Sequence, residues 1–161
     1  MLFQGHLLLG LVYYLLFFDN FSPNNQFLFF FFVLLGSLLP DIDEENSKIN
    51  QWSGFIGKIV GRIFPHRGFL HSIFFFTILF FVLKHFLGAA YGYGLLLGYL
   101  AHLTGDCISL SGVRIFYPFR FKIKGPLRVG SKFETVLTIF LFLLVIKLLV
   151  SNFNPSLMSF N

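Results

Sequence analysis

The stretch "HRGFLHSIFFFTILFFVL", residues 66–83, places two histidines and an arginine directly in front of a long apolar run. The run itself, residues 73–83, is made almost wholly of Phe, Ile and Leu. Acyl chains solvate such a segment well, whereas in water it would promote aggregation. The stretch therefore predicts a membrane-embedded helix that carries polar side chains at its entrance.

The rest of the chain has the same character. Of its 161 residues, 56% are hydrophobic and only 12% are charged, and 26 are phenylalanine. This composition and length predict a single membrane-embedded domain over residues 1–161. The single cysteine, Cys107, excludes an intramolecular disulfide and a CxxC metal site. The N-terminal apolar stretch lacks a basic region and a small-residue cleavage site, so we expect Met1 onward to be retained.

The hydropathy predicts an all-α, multi-pass membrane bundle. Its five expected spans are residues 2–18, 23–39, 68–87, 89–104 and 133–150. Several are shorter than the ~20 residues that cross a bilayer core. Ser22 and Pro23 are typical of a helix start, and Ser131 with Glu134 is typical of a capping box, which favours a structural role for Glu134. Gly94 and Gly98 have the spacing that allows close helix packing.

The positive charges predict the orientation of these spans. The segment 19–26 contains no Lys or Arg. Ten of the 12 basic residues lie between spans two and three or between spans four and five: Lys48, Lys58, Arg62, Arg67, Arg114, Arg120, Lys122, Lys124, Arg128 and Lys132. The positive-inside rule then places the N-terminus and both basic loops in the cytoplasm. The formal charge of +5 therefore requires no nucleic-acid partner.

Between spans two and three, apolar residues recur at helical spacing from Ile49 to Phe64. Asn50, Lys58 and Arg62 fall on the opposite side of that helix. The pattern predicts an amphipathic helix that either lies on the membrane surface or packs over a neighbouring helix.

The ionisable residues of the predicted spans collect at one membrane depth. At the cytoplasmic ends of four spans lie His6, Asp41, Asp43, His66, His71, His102 and Asp106. His85 lies at the opposite end of span three and is not expected to join them. Ionisable groups at a membrane boundary are costly unless they are paired or bound to an ion, so this grouping indicates function.

The spacing of these residues suits a metal centre, and all seven are candidate ligands. His102 and Asp106 lie one helical turn apart on one face. Asp41 and Asp43 would point to the same side if the "PDID" segment were extended. Nitrogen and oxygen ligands without thiolates suit Zn²⁺, our first choice, or Mn²⁺ or Fe²⁺, and more than four ligands suggest two ions. Arg67 would bind an anionic oxygen of the substrate or anchor to a lipid phosphate.

These features predict a hydrolase at the cytoplasmic membrane surface that uses one or two divalent metals. Its expected substrate is a phosphoester, with a phospholipid as one candidate. The same metal chemistry also hydrolyses esters and amides, so these substrates remain alternatives. Catalytic roles fall to Asp41 and Asp43, as ligand, bridge or general base, and to Arg67. An ion-binding transporter or metal sensor without turnover is the alternative. A purely structural membrane protein that binds a soluble partner would leave the polar cluster unexplained.

The stretches "GSLLPDID", "HRGFLHS", "GYLAHLTGDCIS", "FYPF" and "VGSK", together with His6, resemble the YdjM family. That family is described as inner-membrane, LexA-binding and a group of metal-dependent hydrolases. The resemblance covers most of the chain and implies a multi-pass membrane protein with a hydrolytic metal site. The order His, Asp, His, His-x-x-x-Asp is also similar, more loosely, to that of zinc-dependent phospholipases C. The chain has no later His and Glu after Asp106 that would complete a third zinc site.

Overall fold

The computed structural model describes residues 1–153. Over that range the chain has no β-strand, and only isolated bridges join Ser109 to Leu127 and Val113 to Ile123. The helices are α1 Phe3–Phe17, α2 Gln26–Leu38, α3 Lys48–Trp52, α4 Gly54–Ile63, α5 Ile73–Phe86, α6 Ala89–Ile108 and α7 Lys132–Phe153. Short 3₁₀ segments cover Phe18–Asn20, Leu39–Asp43 and Phe69–His71. The all-α prediction is confirmed.

Two helices begin later than the sequence predicted. The Asn25 side chain accepts the N–H of Leu28 at 3.0 Å, so α2 begins at Gln26 and not at Pro23. Ser72 likewise caps α5 by accepting the N–H of Phe75 at 3.4 Å. A side-chain oxygen that satisfies one of the free N–H groups of the first turn fixes where a helix starts. Residues 68–72 therefore form the entrance to α5 and not its first turns.

The last two helices are longer than predicted. Helix α6 continues to Ile108, so His102 and Asp106 do share one helix. At the start of α7, Ser131 accepts the N–H of Glu134 at 3.4 Å, as in the predicted capping box. The buried Glu134 carboxylate, however, accepts the N–H groups of Leu2 and Gly130, each at 2.6 Å. Glu134 thus has a structural role, as predicted, and it ties α7 to the start of α1.

Helices α2 and α6 approach each other closely because glycines line their contact. A Cβ atom added at Gly98 would overlap the carbonyl oxygen of Val33, and one at Gly36 would overlap the carbonyl oxygen of Leu95. At Gly94 an added Cβ atom would lie 3.1 Å from the side chain and the carbonyl oxygen of Phe29, a tight contact without overlap. The predicted packing role of Gly94 and Gly98 is confirmed. The close approach holds the end of α2 beside the second half of α6.

Aromatic packing positions the entrance of α5. Tyr99 is fully buried and stacks on Phe76, with 3.6 Å between ring centroids. Its hydroxyl donates a hydrogen bond to the carbonyl oxygen of His71 at 2.9 Å. Helix α1 packs against α2, α6 and α7, which completes the enclosure around this region. The core therefore holds the segment Phe69–His71 in a fixed position relative to α6.

The predicted amphipathic helix is divided into α3 and α4 at Gly54, where the backbone has a φ of 56°. Several of its apolar side chains face outward, with Trp52 67% and Phe55 77% exposed. Asn50 differs from Lys58 and Arg62, the other two residues predicted opposite the apolar side chains, because those two are exposed. Asn50 is buried and donates to the carbonyl oxygen of Gly57 at 2.7 Å, which joins α3 to α4, and to that of Ile42 at 2.6 Å, which joins α3 to the 3₁₀ segment Leu39–Asp43.

Two helical segments are long and apolar enough to cross a membrane. They are Gln26–Asp43 and Lys132–Asn152, and Ile73–Phe86 is a shorter apolar helix. By this criterion the expected number of five spans is not confirmed. Three expected spans fall short: α1 and α5 are only 15 and 14 residues long, and the 20-residue α6 is less apolar because glycines, tyrosines, His102 and Asp106 interrupt it.

Candidate metal centre

The structure brings the predicted ligands together from four separate elements. They lie on α1, on the 3₁₀ segment Leu39–Asp43, on residues 66–71 and on α6. Five of them are buried almost completely: His6, Asp43, His71, His102 and Asp106. Asp41 and His66 keep 18% and 33% of their side chains exposed. His85 lies exposed near the end of α5, outside the cluster, as predicted.

Two histidines at the centre present the same ring atom to each other. The Nε2 atoms of His71 and His102 are 3.3 Å apart. On its other side, the Nδ1 atom of His102 lies 2.8 Å from the carbonyl oxygen of Ser37, to which only an N–H can donate. The Nδ1 atom of His71 lies 3.1 Å from Oδ2 of Asp43. These contacts place a proton on each Nδ1, so both Nε2 atoms are available as ligands.

Two carboxylates complete this group. Asp106 Oδ2 lies 3.5 Å from Nε2 of His71 and 3.7 Å from Nε2 of His102. Asp41 Oδ1 lies 3.8 Å and 3.7 Å from the same two atoms. Asp106 Oδ2 is also buried, and no hydrogen-bond partner for it occurs among residues 1–153. Such an atom is costly unless a cation satisfies it.

The separations within this group fit a small divalent ion. Ligands that hold zinc tetrahedrally at ~2.0–2.1 Å lie roughly 3.3–3.5 Å from one another. The two nitrogens are 3.3 Å apart and lie 3.5 to 3.8 Å from the carboxylate oxygens, which is close to that range. A shared proton would satisfy at most one pair of these atoms, whereas an ion would satisfy both nitrogens and both carboxylates at once. The residues present therefore fit a metal.

Further ligand groups surround the first. Three sets of residues have ligand atoms that all lie within 4.8 Å of one another. One set belongs to the central group, and the other two add His6 and His66: His71, His102 and Asp106; His6, Asp41 and His102; and Asp41, His66 and His71. His6 Nε2 is 3.7 Å from Asp106 Oδ1 and 4.0 Å from Asp41 Oδ2. Each carboxylate thus turns one oxygen toward the His71–His102 pair and the other toward His6. This arrangement suits carboxylates that bridge two ions.

Asp43 is the predicted ligand that these groups leave out. Its Oδ1 lies 2.7 Å from Nδ1 of His66, and its Oδ2 receives the N–H of Arg67 at 3.2 Å in addition to the contact with His71. The sequence predicted an extended "PDID" segment with both aspartates on one side. That was wrong, because Leu39–Asp43 is a 3₁₀ helix. With three residues per turn, residues two apart point in different directions.

Arg67 is engaged within the protein. Its Nη2 lies 3.1 Å from Asp106 Oδ1, and its Nη1 donates to Ser109 Oγ and to the carbonyl oxygen of Gly112, both at 3.4 Å. The α-amino group of Met1 also lies 3.1 Å from Asp106 Oδ1. Arg67 has a φ of 59°, a conformation that brings its N–H to Asp43. These contacts indicate that Arg67 holds Asp43 and Asp106 in place, and they favour this role over direct contact with a substrate or lipid.

A cavity of about 760 Å³ opens beside the cluster. Asp41, His66 and Arg67 line it, and so do Arg114 and Lys122 from the loop between α6 and α7. From the sequence, these two basic residues had been assigned only to orientation in the membrane, because spacing along a loop does not reveal which cavity a side chain lines. Lys122 is exposed, but the pKa of its ammonium lies below the ordinary value because it is slightly desolvated and because the positive charges of Arg67, Arg114 and Lys124 are nearby.

The chain is similar to three known bacterial proteins, two of which are named as inner membrane proteins. It is 37% identical to the inner membrane protein YdjM of Escherichia coli (strain K12) over 105 residues, which is 62% of this chain and 54% of that protein. The YdjM protein of Shigella flexneri matches with the same values. The uncharacterized protein YvsG of Bacillus subtilis (strain 168) is 32% identical over 100 residues, which is 60% of this chain and 62% of YvsG. The match thus spans about half to three fifths of these relatives' length.

No solved structure matches the chain. These findings do not include a phospholipase C, so that similarity is not supported. The family described as YdjM inner membrane protein matches residues 1–158, which is nearly the whole sequence. The chain therefore belongs to the YdjM family of inner membrane proteins.

Proposed function

We propose that the chain is a membrane-bound, metal-dependent hydrolase of phosphoesters. The observation that carries this proposal is the facing pair of His71 and His102 Nε2 atoms, 3.3 Å apart, with a carboxylate oxygen of Asp41 and one of Asp106 beside them. Two nitrogen ligands and two carboxylates without a thiolate are a donor set for zinc, manganese or iron. Zinc suits the separations best.

The metal and the protein would divide the chemistry. A divalent ion held by His71, His102, Asp41 and Asp106 would act as a Lewis acid toward a phosphoryl oxygen. His6 would contribute to a second ion position that shares the two carboxylates. The chain's own part is to keep this region buried, to orient both central imidazoles through Ser37 and Asp43, and to leave Asp41 accessible from the cavity.

His66 supplies a group that can transfer a proton. It lines the cavity and is 33% exposed, and its Nδ1 lies 2.7 Å from Asp43 Oδ1. An imidazole held by a carboxylate is a common general acid or base. Asp43 would hold the His66 ring in place, and Nε2, which lies 3.5 Å from Oε2 of the cavity residue Glu44, would give a proton to the leaving oxygen. This role makes use of Asp43 without requiring that it bind metal.

The membrane setting is part of the proposal. Five spans, with the N-terminus and the cluster at the cytoplasmic face, agree with the distribution of basic residues. The exposed apolar side chains of α3 and α4 would then lie in the membrane surface. The ring of Trp52 contacts Phe3, a residue of the cavity wall, with 5.4 Å between centroids. This continuity favours a lipid-borne substrate.

The test is metal analysis of the detergent-purified chain together with turnover on a panel of phospholipids and soluble phosphoesters. His102→Ala and Asp106→Ala should each lower the bound metal markedly and abolish turnover, because each removes a ligand from the central group. His85→Ala is the matched control and should change neither. Equal metal content in all three variants would contradict the ligand assignment. Bound metal without turnover of any phosphoester would instead favour the ion-binding transporter or sensor.

A further inference from the structure

Arg114 and Lys122 stand out among the residues of the cavity wall because of their charge. Both line the same cavity as Asp41 and His66. Among the ion pairs within residues 1–153, none involves either side chain. Arg67 differs from them, since its guanidinium is paired with Asp106 at 3.1 Å. Lys48 also lines the cavity, but its ammonium lies over the Phe3 ring, 5.2 Å from the ring centroid. Arg114 and Lys122 therefore bring positive charges to the wall for which the described protein supplies neither a carboxylate nor an aromatic ring.

These charges also lie near one another. The Lys122 ammonium is influenced by the positive charges of Arg67 and Arg114, and by the negative charge of Asp106. Like charges that share a cavity repel each other, and an anion between them would relieve that repulsion. A guanidinium can grip two oxygens of one phosphate, and an ammonium adds a third contact as a point charge. The pair thus has the chemistry of a phosphate site.

We infer that Arg114 and Lys122 bind the phosphate group of the substrate beside the metal cluster, an inference that rests on the hydrolase function proposed above. Because they line the cavity without an ion pair, Arg114 and Lys122 would bind the anionic oxygens of the substrate. The sequence predicted this role for Arg67. The phosphate belongs either to a lipid headgroup or to a soluble phosphoester. The wall also contains Leu2, Phe3 and Ile49, which would accept the apolar part of a lipid.

The experiment measures phosphate binding separately from turnover. The metal-loaded full chain in detergent is dialysed to equilibrium against radiolabelled inorganic phosphate. Arg114→Gln and Lys122→Gln should each weaken phosphate binding about tenfold or more, since each removes a charge-assisted contact. Metal content should not change in either. Arg120→Gln, an exposed residue of the same loop outside the cavity lining, is the matched control and should bind phosphate normally.

Unchanged phosphate affinity in both variants, with equal metal content, would overturn the inference. Arg114 is partly buried, so its replacement can disturb folding, whereas Lys122 is exposed and Lys122→Gln keeps the test valid on its own. Competition then identifies the source of the phosphate. Displacement by phosphatidic acid in phosphatidylcholine nanodiscs would assign a lipid, and displacement by glycerol 3-phosphate would assign a soluble ester. Displacement by neither would also overturn the inference.

The inference and the proposed function can fail separately. If phosphate binding depends on Arg114 and Lys122 but no phosphoester is turned over, the phosphate site is supported and the proposed hydrolase function is contradicted. If phosphoesters are turned over while Arg114→Gln and Lys122→Gln leave both KM and phosphate affinity unchanged, the hydrolase function is supported and the phosphate site is contradicted.

Discussion

Asp41 and Asp43 are only two positions apart, yet their side chains have different neighbours. Asp41 Oδ1 faces the Nε2 atoms of His71 and His102, where an ion would lie. Asp43 contacts the opposite nitrogen of His71 and the Nδ1 of His66. A carboxylate in the position of Asp43 sets the orientation and the tautomer of a histidine ligand without touching the ion itself. At the residue scale, we therefore expect Asp43 to position a histidine ligand and not to bind the ion.

This difference predicts unequal effects of two similar substitutions. Asp43→Asn should weaken metal affinity by about 10- to 100-fold, the usual cost of losing such a partner. Asp41→Asn should remove more, because a neutral amide replaces a charged ligand. The measurement is metal affinity by competition with a chelator of known strength. Ser111→Ala, on the cavity wall outside the cluster, serves as the control. An equal loss of metal affinity in Asp43→Asn and Asp41→Asn would instead indicate that Asp43 binds the metal directly.

At the scale of elements, the contact between α2 and α6 determines the geometry of the cluster. The carbonyl oxygen of Ser37, near the end of α2, lies 2.8 Å from Nδ1 of His102 on α6. That distance depends on the close approach at Gly98, where a side chain would meet the backbone of Val33. Backbone cannot move aside as a flexible side chain can, so extra volume must separate the helices.

Gly98→Ala should therefore affect both stability and metal binding. We expect a loss of about 1–3 kcal/mol in the free energy of unfolding, the usual cost of overpacking. Metal affinity should fall as well, because the contact from His102 to Ser37 is stretched. The measurements are unfolding in mild detergent and metal content. Leu100→Ala, on an exposed face of the same helix, is the control. Full stability with normal metal binding in Gly98→Ala would show that the two helices can separate without cost.

Helices α3 and α4 give a second prediction at this scale. Trp52 is the single tryptophan of the chain and is 67% exposed on their apolar face. If that face lies in the membrane surface, lipids brominated near the headgroup should quench its fluorescence more than lipids brominated near the chain ends. The comparison is made in vesicles that differ only in the position of bromine. Fluorescence that no brominated lipid quenches would mean that the face is covered by something other than the bilayer.

At the scale of the whole molecule, the cluster requires that all its helix ends lie on one side of the membrane. Reporters fused after Ser53 and after Lys124 should both be cytoplasmic, and one near Asn24 should be external, because the basic residues are distributed in that way. The readout is a pair of reporters that are active on opposite sides of the membrane. An external reporter after Lys124 would contradict the orientation, since α6 brings His102 and Asp106 to the same cluster as His6.

The sequence by itself determined the class of the fold and the membership of the cluster. Apolar runs produce helices in any packing, and a histidine and a carboxylate one turn apart share a helix face wherever that helix lies. His102 and Asp106 could therefore be paired without a structure. The same holds for the separation of His85, which lies at the far end of α5.

Only the tertiary structure decided what each side chain does within the cluster. The contact of His102 with Ser37 joins residues 65 positions apart, and that of Arg67 with Asp106 joins residues 39 positions apart. Local periodicity carries no information about such partners, because they depend on how closely α2 and α6 pack and on the 3₁₀ turn of Leu39–Asp43. The placement of Arg114 and Lys122 on the cavity wall depended in the same way on how the loop after α6 folds back over the cluster, and no spacing along a loop encodes that.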